Sequence, residues 1–431
     1  MDDPIFKEKI DIFSHDYLKC CKYLCKVEPV RENFTKKLYA EMVASSKLLE
    51  DFLDFHGAKN SNDWYFYREL VASVRNLAAV SYSQKHIFNR VPSYELDGHE
   101  DFKETGFNTH KFLIRSLRNI SAASLEEAER LNIYIPPDNF SWEDFPGIST
   151  GQVFDFNIDD QDTVEEKKNI VKITTKFLNV VKDFELLGFY EPYPVETIKT
   201  IVPASINEEE MRRFEMVVHN LQSTFDTYVN RSALRFRNIK LKRLRGFISI
   251  VLHLMELTGR LLHYYERHLY EMGYKNVYQV VGERLMKMVG VDQILDSIVN
   301  YGLYYICRFL TSGQDLAREV LNENIERSAI KVGIPLKMGF HSRPSLLVAK
   351  IVQHYGGEVE LCVREDRFDA GSVLDIQWAG GKIAKEEVEE VVFEGDVRAL
   401  SDIKILASVN YGEDTMGKGI PLPRELLYLR Q

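Results

Sequence analysis

At about residue 328 the apolar residues of this chain change their spacing, and that change limits the fold more than any other feature. Before it, Lys7 to Lys26, Lys36 to Phe55, Trp64 to Asn89 and His110 to Asn119 carry apolar side chains at three- and four-residue intervals, which gather them on one face of a helix. After it, short stretches alternate apolar with polar or small residues, the period of a half-buried strand. The spacing therefore predicts a multidomain protein: a mainly α-helical region over 1–325 and a C-terminal α+β domain over 329–414, followed by a tail at 415–431. A split of the helical region into two subdomains would fall at 132–162, where Pro136-Pro137, Pro146-Gly147 and several Asp and Asn residues read as a connection.

Helical texture resumes over Glu165 to Leu187 and stops in the proline-bearing stretch from Glu191 to Pro203. Asn207 is then a cap, because its side chain can accept from an unpaired N–H of the next turn, and Glu208, Glu209 and Glu210 put negative charge at the positive end of the helix. That helix is expected to run to Met272-Gly273 with a break near Arg237-Asn238, and another to cover Val277 to Leu310.

Composition excludes several classes. With 55 Lys and Arg against 65 Asp and Glu, a net of −10, a surface generally adapted to nucleic acid is not expected. The most apolar window, Gly246 to Leu262, contains His253, Glu256 and Arg260, so no membrane insertion is expected. Met1-Asp2-Asp3-Pro4 does not lead into a secretory signal, and five scattered cysteines fit a reducing, cytoplasmic setting.

In the C-terminal domain Val332, Ile334 and Leu336 alternate as a first strand. Pro344 opens a helix whose stripe is Leu347, Val348, Ile351, Val352 and Tyr355, and Gly356-Gly357 stops it. Val359, Leu361 and Val363 form a second strand, with Arg367 to Ala370 pairing beside it. Ser372 caps a brief helix through Trp378. Val388 to Phe393 is a fourth strand, and Asp396 caps a last helix that Gly412 ends. The order is βαββαβα.

Chemistry concentrates at the join of the first strand and first helix, Gly339-Phe340-His341-Ser342-Arg343-Pro344. A helix N-terminus carries unpaired N–H groups and partial positive charge, which stabilise an anion there, and the Ser342 N–H stands at that start. His341 supplies an imidazole, a competent nucleophile near neutral pH. Arg343 can balance a phosphate with a planar set of donors.

This string resembles the active-site motif of HPr, the histidine phosphocarrier of the bacterial phosphoenolpyruvate-dependent sugar phosphotransferase system. The resemblance covers roughly Lys331 to Asp414, and Asp369-Ala370-Gly371-Ser372-Val373-Leu374 falls where the family has its regulatory serine. It implies a four-stranded antiparallel sheet carrying three helices, a phosphoryl group accepted on a ring nitrogen of His341 from enzyme I, and Arg343 as its counter-ion. It further implies Ser372 as the target of a serine kinase, Val373 and Leu374 as docking surface, and a downstream phosphoryl acceptor protein. No cofactor and no metal are called for. The chain departs from the family at Met338, where Asn is frequent, at Gly371, where Lys is common, and at Asp375, which adds acid beside the docking helix. The tail, Pro421 to Gln431, is expected to dock on the helical part.

Other clusters have plainer readings. The basic run Arg231, Arg235, Arg237, Lys240, Lys242, Arg243 and Arg245 is a solvated face or pairs with acids such as Glu208 to Glu210. Cys20, Cys21 and Cys25 with His15 fit no closed zinc spacing and read as core, while His253, Glu256 and His263 read as core or interface residues. The resulting expectation is a phosphocarrier or phosphorylation-sensing regulatory protein, a phosphoryl carrier rather than a conventional enzyme. The alternatives are an enzyme in the helical region controlled by the HPr-like domain, and a scaffold using that domain as an interaction module.

Overall fold

Helical periodicity becomes helices, usually longer than the spacing alone defines. The computed structural model describes residues 4–28, 34–94, 96, 100–148, 164–229, 238–270, 273 and 275–430. The helical part contains α1 (Pro4–Lys26), α2 (Lys36–Phe55), α3 (Tyr65–Arg90), α4 (Glu100–Arg130), α5 (Val164–Glu185), α6 (Val195–Ile201) and α7 (Glu208–Tyr228). After these come α8 (Ile239–Tyr264), α9 (Asn276–Val289), α10 (Val291–Asp296) and α11 (Tyr304–Asn324). The single helix expected over Val277 to Leu310 is divided, because Gly290 takes a left-handed φ of 79° between α9 and α10.

Contacts divide the chain into two units, and the division does not fall at the change of texture. One takes the described residues of 1–158, 184–222 and 245–310; the other takes those of 159–183, 223–244 and 311–431.

In the first unit α3 is buried on nearly every face, which forces its polar residues to find partners. Arg68 bonds to Glu50 at 2.8 Å, Asp54 at 2.8 Å and Glu69 at 2.7 Å, and Glu69 also meets His268 Nδ1 at 2.8 Å. Cys20 and Cys21 lie in the core, where burial raises both thiols, Cys21 to about 12. His253 is paired with Glu256 at 2.9 Å, and His263 with Glu208 at 3.0 Å. Asn207 Oδ1 accepts from the Glu210 N–H at 3.0 Å, the cap that its position suggests. Of the basic run, Arg231, Arg235 and Arg237 lie outside the described residues; Lys240, in the second unit, pairs with Glu319 and Glu323 rather than with Glu208 to Glu210.

The second unit contains the α+β segment: β1 (Arg327–Gly333), α12 (Ser342–Tyr355), β2 (Val359–Val363), β3 (Asp366–Asp369), α13 (Val373–Lys385), β4 (Glu390–Asp396) and α14 (Val397–Ser408). The element order is βαββαβα, and the sheet is antiparallel in the order β1-β4-β2-β3, with Phe393 of β4 opposite Ile330 and Leu361. Val359, Leu361, Val363, Val391 and Phe393 face the three helices and form one core with Val348, Ile351, Ile376, Ile383, Leu400 and Ile403.

Four expectations are corrected here. The first strand ends at Gly333 instead of including Leu336, because Pro335 has no N–H to continue the ladder; Leu336 is 74% exposed. The fourth strand is Glu390–Asp396, shifted toward the cap of α14. The brief helix after Ser372 extends to Lys385, since Ile376, Ala379 and Ile383 keep the apolar stripe going through Gly380. A Cβ on Gly380 would stand 3.0 Å from the Phe340 carbonyl, so glycine there serves close packing rather than termination. Finally, the tail docks on the α+β segment itself: Leu426 and Leu429 are buried in its core, Lys350 Nζ donates to the Leu429 carbonyl at 3.1 Å, and Tyr428 donates to Asp402 at 2.6 Å.

The far end of α12 is anchored as firmly. Gly356 closes it with a left-handed φ of 74°. Arg398 donates to Asp396 at 2.6 Å, to Thr175 of α5 at 3.1 Å and to the Tyr355 carbonyl at 3.3 Å. No helix among the described residues is long and apolar enough to cross a membrane.

Candidate functional site

His341 is the residue immediately before α12. Its backbone is extended, its N–H donates to the Gly339 carbonyl at 2.9 Å, and its carbonyl accepts from Ser345 at 3.1 Å. The preceding turn places Met338 and Gly339 in the left-handed region, at φ 61° and 59°. Phe340 anchors the turn, buried against Phe393 and Tyr411 with ring centroids 6.2 and 5.1 Å away. The Ser345 hydroxyl locks it by donating to the Phe340 carbonyl at 3.1 Å. The imidazole is thus presented by a fixed backbone at the positive end of a 14-residue helix.

The side chain of His341 is 27% exposed, and its Nε2 lies 3.0 Å from Oε2 of Glu413, which is 1% exposed. Arg343 Nη1 is 4.0 Å from the other oxygen, Oε1, which is buried and accepts no hydrogen bond among the described residues. His341 makes no side-chain capping bond to α12, and no hydrogen bond engages its Nδ1 among the described residues. Glu413 follows the short turn at Asn410–Gly412 after α14 and pairs across with Gly419 in an isolated bridge. Asp414 closes the intervening turn by accepting from the Met416 and Lys418 N–H groups at 2.9 and 2.8 Å. Asn410 ties that turn to the loop before His341: its Nδ2 donates to the Glu413 carbonyl at 3.1 Å, and its Oδ1 accepts from Leu336 at 2.9 Å. Gly419 lies against the Arg343 guanidinium, in space a Cβ would fill.

The motif residues His341, Ser342 and Arg343 therefore share one helix start, with Ser342 and Arg343 exposed beside the ring. Ser372 is elsewhere. Its hydroxyl accepts from the Asp375 N–H at 3.3 Å, capping α13. The Gly371 carbonyl accepts from Gln353 of α12 at 2.8 Å, while Gly380 lies against Phe340, so α12 and α13 run antiparallel. Twelve residues of α12 at 1.5 Å each put Ser372 roughly 18 Å along the helix from His341. Val373 packs partly into the core, and Leu374 is exposed. Trp378, one turn further on and 67% exposed, extends that apolar surface and has no counterpart among the expected docking residues.

Glu413 was not legible as a site residue. It lies 72 residues from His341, in a Gly-Glu-Asp string that reads as an ordinary helix end. Among the described residues no group of three His, Cys, Asp or Glu side chains is placed to hold a metal ion. Comparison with protein-family models, with curated proteins and with solved structures finds no match.

Proposed function

We propose that this protein is a phosphocarrier or phosphorylation-sensing protein in which Nδ1 of His341 accepts a phosphoryl group from a phosphohistidine on a donor protein of the enzyme I type. The observation that carries the reading is the one-sided engagement of the ring: Nε2 is bonded to Glu413 at 3.0 Å while Nδ1 has no hydrogen bond among the described residues, at a helix start beside Arg343. A carboxylate accepts, so Nε2 carries the proton and Nδ1 the lone pair. That lone pair attacks phosphorus, the donor's P–N bond breaks, and its electron pair returns to the donor ring. The N–H group of Ser342 and the Arg343 guanidinium supply donors for the oxygens.

The element order and the antiparallel sheet order support an HPr-like domain as the carrier. In the same reading the exposed Leu374 and Trp378 are docking surface and Ser372 is a kinase target, with transfer onward to an acceptor protein. Incubation with enzyme I and labelled phosphoenolpyruvate should give an acid-labile adduct that is lost in His341→Ala. A wild-type protein that takes up no label would refute the proposal.

A further inference from the structure

We infer that Glu413 is a positioning residue for phosphoryl transfer, selecting Nδ1 over Nε2 of His341 by holding the Nε2 proton. The inference rests on the phosphocarrier reading of His341. It starts, however, from an energetic oddity independent of that reading.

A carboxylate buried to 1% exposure must be offset by strong partners, and carboxylates are almost never fully buried unpaired. Among the described residues Glu413 has one close charged partner, His341 at 3.0 Å, and one distant one, Arg343 at 4.0 Å, and its Oε1 accepts no hydrogen bond. A purely structural carboxylate would be expected to satisfy both oxygens, because each unmade bond at a buried charged atom is costly. The surrounding turn nevertheless fixes it in place, through the bridge to Gly419, the bond from Asn410 and the Asp414 turn. An under-satisfied carboxylate clamped against the one ring nitrogen of a surface histidine has the geometry of an orienting group, which fixes the tautomer and offsets positive charge as it develops on the ring.

The chemistry requires that charge. When neutral imidazole attacks through Nδ1, the ring gains a bond to phosphorus while keeping its Nε2 proton, and so becomes a phosphorylated imidazolium. Glu413 faces that cation directly. It lies on the edge of the ring away from the incoming phosphoryl group, because the two ring nitrogens point in different directions. Attack through Nε2 would instead require Glu413 to be displaced and would bring a phosphoryl dianion against a carboxylate.

The test uses the full chain and phosphoramidate, a small donor that needs no partner protein. In this reaction the P–N bond of phosphoramidate breaks, ammonia leaves, and the new bond to a ring nitrogen forms. Nitrogen-15 NMR of the His341 ring first reads the tautomer of the unmodified protein, with Nε2–H expected. Phosphorus-nitrogen coupling then reads which nitrogen was phosphorylated. The wild type is expected to react at Nδ1 with at least about tenfold preference, equivalent to ~1.4 kcal/mol. In Glu413→Gln, which keeps the shape of the buried side chain, that preference should fall to within about threefold, and the rate of phosphorylation should drop by roughly tenfold or more. Unchanged regiochemistry in Glu413→Gln overturns the inference, and so does an Nδ1–H tautomer in the wild type, which needs no variant to fold. A wild type that reacts nowhere on His341 overturns the phosphocarrier reading itself. The tautomer spectrum tells the two failures apart, since it involves no phosphoryl group.

Discussion

Leu426 tests whether the C-terminal tail is part of the α+β core. It belongs to a short turn at Arg424–Arg430, is 0% exposed, and shares its cluster with α12 and α14. Leu426→Ala removes a buried isobutyl group and leaves a cavity that the proline-bearing tail, itself held by Tyr428 to Asp402 and by Lys350 to Leu429, can only partly close. Substitutions of this kind cost about 2–5 kcal/mol. If the unit opens as a whole, amide exchange at the central-strand residues Leu361 and Phe393 should accelerate by at least roughly 30-fold, since each ~1.4 kcal/mol is a factor of ten. Hydrogen exchange resolved by NMR measures this without assuming that the two units unfold together, an assumption a global melting curve would need. An acceleration below about twofold would mean that the tail adds nothing to the core, and the structural argument for its docking would fail.

Two further expectations concern capping and pH. Ser372→Ala removes the acceptor for the Asp375 N–H and should cost about 1 kcal/mol of stability, whereas Ser372→Asp, which can still cap, should stay within about 0.5 kcal/mol of wild type; urea titration followed by circular dichroism distinguishes them. Burial, the His253 ring 4.0 Å away and the Lys36 ammonium at 2.9 Å depress the His86 imidazole to about 3. The unfolded chain therefore binds this proton at a higher pH than the folded one, so the stability His86 supports is present above about pH 6.5 and is lost as pH falls toward about 3. His86→Gln should make the urea midpoint fall less steeply between pH 6.5 and 4, and parallel profiles would contradict this.

What could be read from the sequence was local. Caps at Asn207, Ser372 and Asp396 use a side chain and an N–H two or three residues away, so each is visible in a short window. His341, Ser342 and Arg343 are consecutive and share a helix start for the same reason. Boundaries that depend on distant packing were not visible. The helix after Ser372 was legible only through Trp378, yet it continues because Ile376, Ala379 and Ile383 stay buried against the core, with Gly380 giving room to Phe340. The tail has too few turns to show a period, and its docking depends on a core formed by residues 348–406. Glu413 is the limiting case, since its burial and its partner are both set by a turn beyond α14 that folds back onto the start of α12.

Under the proposed function, that turn also bears on how a chain of net charge −10 would hold a phosphoryl group. At physiological ionic strength charges are screened beyond roughly 8 Å, so remote carboxylates matter little and the residues touching His341 dominate. Those residues are of both signs. Glu413 stands against Nε2, and Arg343 stands beside the helix start with its guanidinium seated on Gly419. A dianionic group bonded to Nε2 would meet a buried carboxylate at hydrogen-bond distance, whereas on Nδ1 the width of the ring would separate the two charges. Under the proposed function, the buried carboxylate would give the site a direction: it would oppose phosphate on one ring nitrogen and, by holding the proton there, leave the other nitrogen as the nucleophile.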